Sequence, residues 1–164
     1  MAKIDQLLAN NARYAASFDR GGLEAAPRLR LAVLSCMDAR LDLHRALGLA
    51  EGDAHVIRNA GGIVTDDAIR SLAISQRLLG TEEIAVIHHT RCGMLGLDDE
   101  RFAATLEQES GARPPWAAGG FADLEEDLRA CVERIRRSPF IARRDCVRGF
   151  IYDVDTGEIR EVAA

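Results

Sequence analysis

Apolar residues recur along the 164-residue chain in two rhythms that alternate from end to end. Ile4, Leu7, Leu8, Ala12 and Ala15 fall three or four apart, which is one face of a helix, and predict an amphipathic helix over residues 3–18. Gly21-Gly22 and Pro27 break that rhythm, so residues 1–28 read as an N-terminal helical arm. Short continuous apolar runs follow at 29–35, 54–58 and 83–88, the length and composition of buried strands. Between them lie a short helix at 42–50 and a longer one at 66–79. In the longer helix Ile69, Leu72, Ala73, Gln76 and Leu79 share a face, Thr65 or Asp66 caps the start, and Gly80 follows the end. Two further helices are expected at 102–110 and 121–137, separated by Pro114-Pro115 and stopped before Pro139. Segments 147–154 and 158–162 flank Asp155-Thr156-Gly157, a hairpin signal. Strands alternating with helices predict an α/β fold, with a mainly parallel central β-sheet flanked by helices. No repeat or linker divides the chain, so a single domain over 1–164 is expected.

Composition narrows the class of function. A 48% hydrophobic and 29% charged chain can bury a core, which argues against disorder. The net charge of -5 argues against a nucleic-acid surface, which carries a basic excess. No run approaches the roughly 20 apolar residues that cross a bilayer. Asp5, Asn10 and Asn11 interrupt the N-terminus where a secretion signal needs apolar continuity. The expected compartment is the cytoplasm, where four cysteines serve as metal ligands, catalytic groups or core residues rather than disulfides.

The chemistry gathers at the carboxyl ends of two expected strands. Cys36 ends the first, and His89 and Cys92 lie just past the third. Ligands of open parallel sheets bind outside those ends, so both segments can open into one crevice. Two thiolates and an imidazole suit zinc, and three protein ligands leave a position for water, as in catalytic sites. Two residues beyond Cys36 stands Asp38, able to accept a hydrogen bond from a bound water, and Arg40 can hold that carboxylate bidentately.

Taken together, Cys36-x-Asp38-x-Arg40, Arg58-Asn59-Ala60-Gly61 and His89-x-x-Cys92-Gly93 resemble the β-class carbonic anhydrases, most of all the short bacterial members. The similarity runs from about Leu29 to Gly93 and more loosely to the terminal strands. It implies four parallel strands with an added edge strand. Cys36, His89 and Cys92 match the family's zinc ligands, one zinc per chain, and Asp38 and Arg40 match its catalytic dyad. The implied reaction is the reversible hydration of carbon dioxide to bicarbonate and a proton, with zinc activating water. A few relatives turn the same machinery on carbonyl sulfide or carbon disulfide, and the motifs do not separate these substrates. The family builds its pocket at a subunit interface, which together with the amphipathic N-terminal helix implies a homodimer or homotetramer. In some members the aspartate swings from its arginine to close the metal site. Arg91, between two candidate ligands, departs from the acidic or small residue common in short members and puts a positive charge near the mouth of the site.

Other candidates carry plainer expectations. His88 precedes His89 on a strand, so it points to the opposite side and is expected to be packed or hydrogen-bonded. His44 and His55 have no partners at ligand spacing. Cys131 shares an apolar helix face with Leu124, Leu128, Val132 and Ile135 and reads as a core thiol, and Cys146 as structural. Gly61-Gly62 suits a close backbone approach beside the metal. A cysteine-nucleophile phosphatase or sulfurtransferase would use Cys36 as its thiolate, but Arg40 is only four positions beyond it, short of the phosphatase spacing. A non-catalytic zinc domain is the remaining rival, and metal analysis separates both from a lyase.

Overall fold

A computed structural model describes residues 2–163. Five strands form one sheet in the order β2-β1-β3-β4-β5, comprising β1 (Leu31–Cys36), β2 (Ala54–Asn59), β3 (Glu83–His89), β4 (Val147–Tyr152) and β5 (Ile159–Val162). The first four are mutually parallel and β5 pairs antiparallel with β4 at the edge, as the motif resemblance implied. The parallel register brings the carboxyl ends of β1, β2 and β3 to one edge: Cys36 lies beside Asn59, and Ser35 beside Ile87.

Alternation along the strands divides the core between the two faces of the sheet. Ala32, Leu34, Ile84 and Val86 pack on one face against helices α3 (Asp66–Leu79) and α5 (Leu124–Arg137), through Ala68, Leu72, Leu128, Val132 and Ile135. Val33 and Ile87 face the other side, in a smaller cluster with Leu41, Leu43, Cys36, Cys92 and Phe121. Leu43 begins the short helix α2 (Leu43–Leu47), and α4 (Asp99–Ser110) buries no residue.

The boundaries follow the caps. Thr65 Oγ1 accepts from Ala68 N at 3.1 Å to start α3, and Gly80 ends it in the left-handed region, as expected. Strand β1 begins two residues later than the apolar run, because Arg30 adopts φ 52° and its N–H turns back to Pro27 O. Helix α4 begins three residues earlier than expected. Asp98 caps it, and its first turn is polar, which hydrophobic periodicity does not register. Asp123 likewise caps α5 at Leu124, leaving Phe121 to bridge Leu95. Helix α1 (Lys3–Ala16) buries nothing: Ile4, Leu7 and Leu8 are 69%, 60% and 75% exposed, and a Tyr14 hydroxyl donating to Glu51 at 2.6 Å ties its end to the domain.

Candidate metal centre

Cys36 closes β1, His89 closes β3, and Cys92 follows in the next turn. One ligand atom from each lies within 4.8 Å of the other two, and all three residues are buried. The turn after β1 is clamped from the neighbouring strand. Arg58 donates from Nε to Cys36 O at 2.9 Å and from Nη2 to Asp38 O at 2.6 Å, while Met37 N–H donates to Asn59 O at 2.8 Å. Behind it runs the turn Ala60–Gly62. Gly62 has φ 69°, and a Cβ there would stand 2.7 Å from Cys36 N and 2.9 Å from Ser35 C. The chain passes so close to the Cys36 backbone that only glycine fits.

The imidazole of His89 is fixed in one tautomer. Its Nδ1 donates to Thr90 O at 2.9 Å, which leaves Nε2 as a bare lone pair. That Nε2 is buried without a hydrogen-bond partner. A polar atom orphaned in the interior is costly, and here it belongs to the same group as two thiols. Burial holds the His89 pKa below its ordinary value, keeping the ring neutral as a ligand must be. Burial, and the Cys36 thiol beside it, push the Cys92 thiol up to about 11. Two thiols and a neutral imidazole so arranged fit a zinc ion, which would recover the buried lone pair and bind both sulfurs as thiolates.

Beside this group stands the Asp38–Arg40 pair. Asp38 Oδ1 accepts from Arg40 N and Arg40 Nε, both at 2.9 Å, and Oδ2 accepts from Arg40 Nη2 at 2.7 Å. These bonds, first among them those from the guanidinium, hold the Asp38 carboxyl well below the usual carboxylate range. Its Oδ2 lies 3.8 Å from His89 Nε2, so the carboxylate reaches the edge of the ligand group while turned toward Arg40. Arg40 Nη2 also donates to Arg91 O at 3.0 Å. Arg91 has φ 53°, and its guanidinium pairs with Asp155 Oδ1 at 2.6 Å. The charge expected at the mouth of the site is therefore partnered by the hairpin between β4 and β5.

A family profile for carbonic anhydrase matches residues 31–116. The β-carbonic anhydrase 1 of Mycobacterium tuberculosis is 51% identical over 162 residues, covering 99% of each chain. The chain belongs to the β-carbonic anhydrase family. A crystal structure of carbonic anhydrase from Streptococcus mutans superimposes with a TM-score of 0.93 at 42% identity, covering 99% of both chains. A carbon disulfide hydrolase of Acidithiobacillus thiooxidans is 36% identical over 152 residues, covering 80% of this chain and 76% of that one.

Within this β-class chain the structure brings together all five residues singled out from the sequence and leaves the other candidates apart. His88 turns away from the centre and bonds Asp127 across 2.8 Å, and His55 Nδ1 pairs with Ser75 Oγ at 2.7 Å. Cys131 is buried, Cys146 is exposed, and both are free. Sequence reasoning assigned no role to Arg58, although its motif was noted; an arginine ending a strand beside a ligand turn was the available signal. Thr90 and Asp155 carried none. Thr90 tethers the ligand turn to β4, donating from N to Tyr152 O at 2.9 Å and accepting from Val154 N at 3.0 Å.

Proposed function

We propose that the protein catalyses the reversible hydration of carbon dioxide to bicarbonate and a proton, at a zinc centre held by Cys36, His89 and Cys92, one zinc to each such centre. The observation that carries this is the buried, partnerless Nε2 of His89, grouped with two thiols and flanked by an ionised Asp38. Zinc bound there supplies Lewis acidity, lowering the pKa of a water from 15.7 toward about 7. The side chains do the rest. Cys36 and Cys92 as thiolates cancel the metal's formal charge, so they soften that acidification and the rate should climb into the mildly alkaline range. Asp38, kept ionised by Arg40, is an acceptor at Oδ2 for the O–H of a water in the crevice, which aims the reactive lone pair outward. Arg58 and Gly62 fix the turn that carries both Cys36 and Asp38.

The second reading, hydrolysis of carbonyl sulfide or carbon disulfide, has support in the carbon disulfide hydrolase resemblance. These linear substrates offer a site little to distinguish beyond size. Stopped-flow carbon dioxide hydration, run beside sulfide release from carbon disulfide on one zinc-loaded preparation, decides the matter. Hydration far faster than sulfide release supports the first reading, and the reverse establishes the second.

The protein is further proposed to act in the cytoplasm as a homo-oligomer, a dimer or a tetramer. No helix among the described residues is long and apolar enough to cross a membrane. Two thiols as close as those of Cys36 and Cys92 are kept reduced in that compartment. The exposed apolar stripe Ile4, Leu7 and Leu8 on the N-terminal arm gives a second copy something to cover. Sedimentation of wild type at micromolar concentration should show a dimer or larger species, and Leu7→Glu/Leu8→Glu should reduce it. A fully active wild-type monomer would defeat this assignment.

A further inference from the structure

Successive side chains on a strand leave opposite faces of the sheet, so the two histidines that end β3 serve different neighbourhoods. His89 joins Cys36 and Cys92. His88 points to the face covered by α5, where Asp127 and Cys131 stand one helical turn apart at i and i+4. One ligand atom from each of His88, Asp127 and Cys131 lies within 4.8 Å of the other two. His88 is 1% and Cys131 6% exposed, while the Asp127 side chain, at 23%, keeps a way open to solvent. Among the described residues these are the only two groups of three potential metal ligands drawn so close together, and they sit back to back across β3.

We propose that His88, Asp127 and Cys131 form a second metal site, separate from the catalytic centre, for a borderline-soft divalent cation such as zinc. An imidazole, a carboxylate and a thiolate are all zinc ligands. The carboxylate and thiolate together cancel the charge of the dication, which makes a partly buried position between helix and sheet tenable. His88 Nε2 and Asp127 Oδ2 are 2.8 Å apart, whereas two ligands at about 2.0–2.1 Å from one tetrahedral ion stand roughly 3.3 Å apart, so a small opening admits the metal. On binding at Nε2, the proton that His88 shares with Asp127 moves to the partnerless Nδ1, which keeps the ring neutral, and the Cys131 thiol loses its proton to solvent. Asp127 lies on the accessible side, leaving a fourth position for water. Such an ion ties the first turns of α5 to the end of β3, directly behind His89.

Metal stoichiometry tests this without reference to turnover. Full-length protein dialysed against micromolar zinc should saturate at about two ions per chain. Asp127→Asn and Cys131→Ser should each bind about one and keep wild-type carbon dioxide hydration. Cys92→Ser should also bind about one, at the second site, while losing hydration. In Cys36→Ser/Cys92→Ser protein, cobalt(II) should still give a thiolate-to-metal charge-transfer band, and adding Cys131→Ser should abolish it. Saturation of wild type at about one zinc per chain overturns the proposal, a result that needs no variant to fold. So does a second ion that persists in Cys131→Ser. Neither outcome bears on the catalytic centre, whose failure would show instead as zinc-loaded protein without hydration.

Discussion

Replacing Gly62 by alanine tests whether the backbone behind Cys36 builds the metal centre. Two separate penalties apply there. Gly62 has φ 69°, in the left-handed region, where a Cβ costs roughly 1–2 kcal/mol. The added methyl also meets Cys36 N at 2.7 Å and Ser35 C at 2.9 Å, and both are backbone atoms of a central strand that cannot rotate away. Overpacking of that kind costs roughly 1–3 kcal/mol. The control is Gly111→Ala at the end of α4. Its φ is 75° but nothing stands within 4 Å of the added Cβ, so only the conformational penalty of roughly 1–2 kcal/mol applies. For a chain of this size each kcal/mol moves Tm by roughly 2–4 °C. Calorimetry should therefore show Gly111→Ala melting about 2–8 °C below wild type and Gly62→Ala about 4–20 °C below, lower than the control by the overpacking cost. The displaced Cys36 backbone should also lower zinc affinity at the centre in Gly62→Ala alone. Equal melting points for the two variants, with zinc affinity unchanged in both, would refute the close-approach reasoning.

Cys36→Ser, His89→Ala and Cys92→Ser should each lose the zinc of the catalytic centre, checked by metal analysis, because each removes one of three ligands. Asp38→Asn should keep that zinc and lower hydration by about 10²–10⁴-fold, since an amide can donate where the carboxylate accepts. Arg40→Ala should do the same by freeing Asp38, whose Oδ2 already lies 3.8 Å from His89 Nε2, to reach the metal's open position. Stopped-flow rates across pH 6 to 9, roughly the range in which zinc-bound water titrates, check both variants, and wild-type turnover in either would remove it from the dyad. Zinc affinity at the centre should rise with pH over the same range by at least about tenfold per unit. The Cys92 thiol, pushed up to about 11, is protonated throughout that range in metal-free protein and must lose its proton to bind, so acid opposes binding. Competition with a chromophoric chelator measures this, and a pH-independent affinity would contradict it.

Much of this molecule is legible in its sequence, for identifiable reasons. The apolar runs at 29–35 and 83–88 have the length of buried strands and supply most of β1 and β3, and the capped segment 66–79 matches helix α3 end for end because Thr65 and Gly80 mark both termini chemically. Less legible were the starts of α4 and α5, where Asp98 and Asp123 set the boundary and periodicity pointed elsewhere. The five residues of the centre stand in short local motifs at strand ends, and it is the joint resemblance of those motifs to the family's, rather than spacing alone, that singles them out. What supports them did not show. Arg58 reaches the Cys36 turn only because β2 pairs in register with β1, and Asp155 meets Arg91 only because the terminal hairpin folds back over the ligand turn. The partnership of His88 with Asp127 spans 39 positions and depends on the packing of α5 against β3, which no local pattern encodes.

The central claim is that Cys36, His89 and Cys92 hold the zinc at which carbon dioxide is hydrated. Its most direct test is a single reconstitution series: strip the metal, return zinc in steps, and follow stopped-flow hydration at pH 8 to 9 against occupancy of the centre. Turnover should be absent from the stripped protein and rise in proportion to occupancy, with Cys92→Ser flat throughout. Fully zinc-loaded wild type that hydrates carbon dioxide no faster than buffer would contradict it.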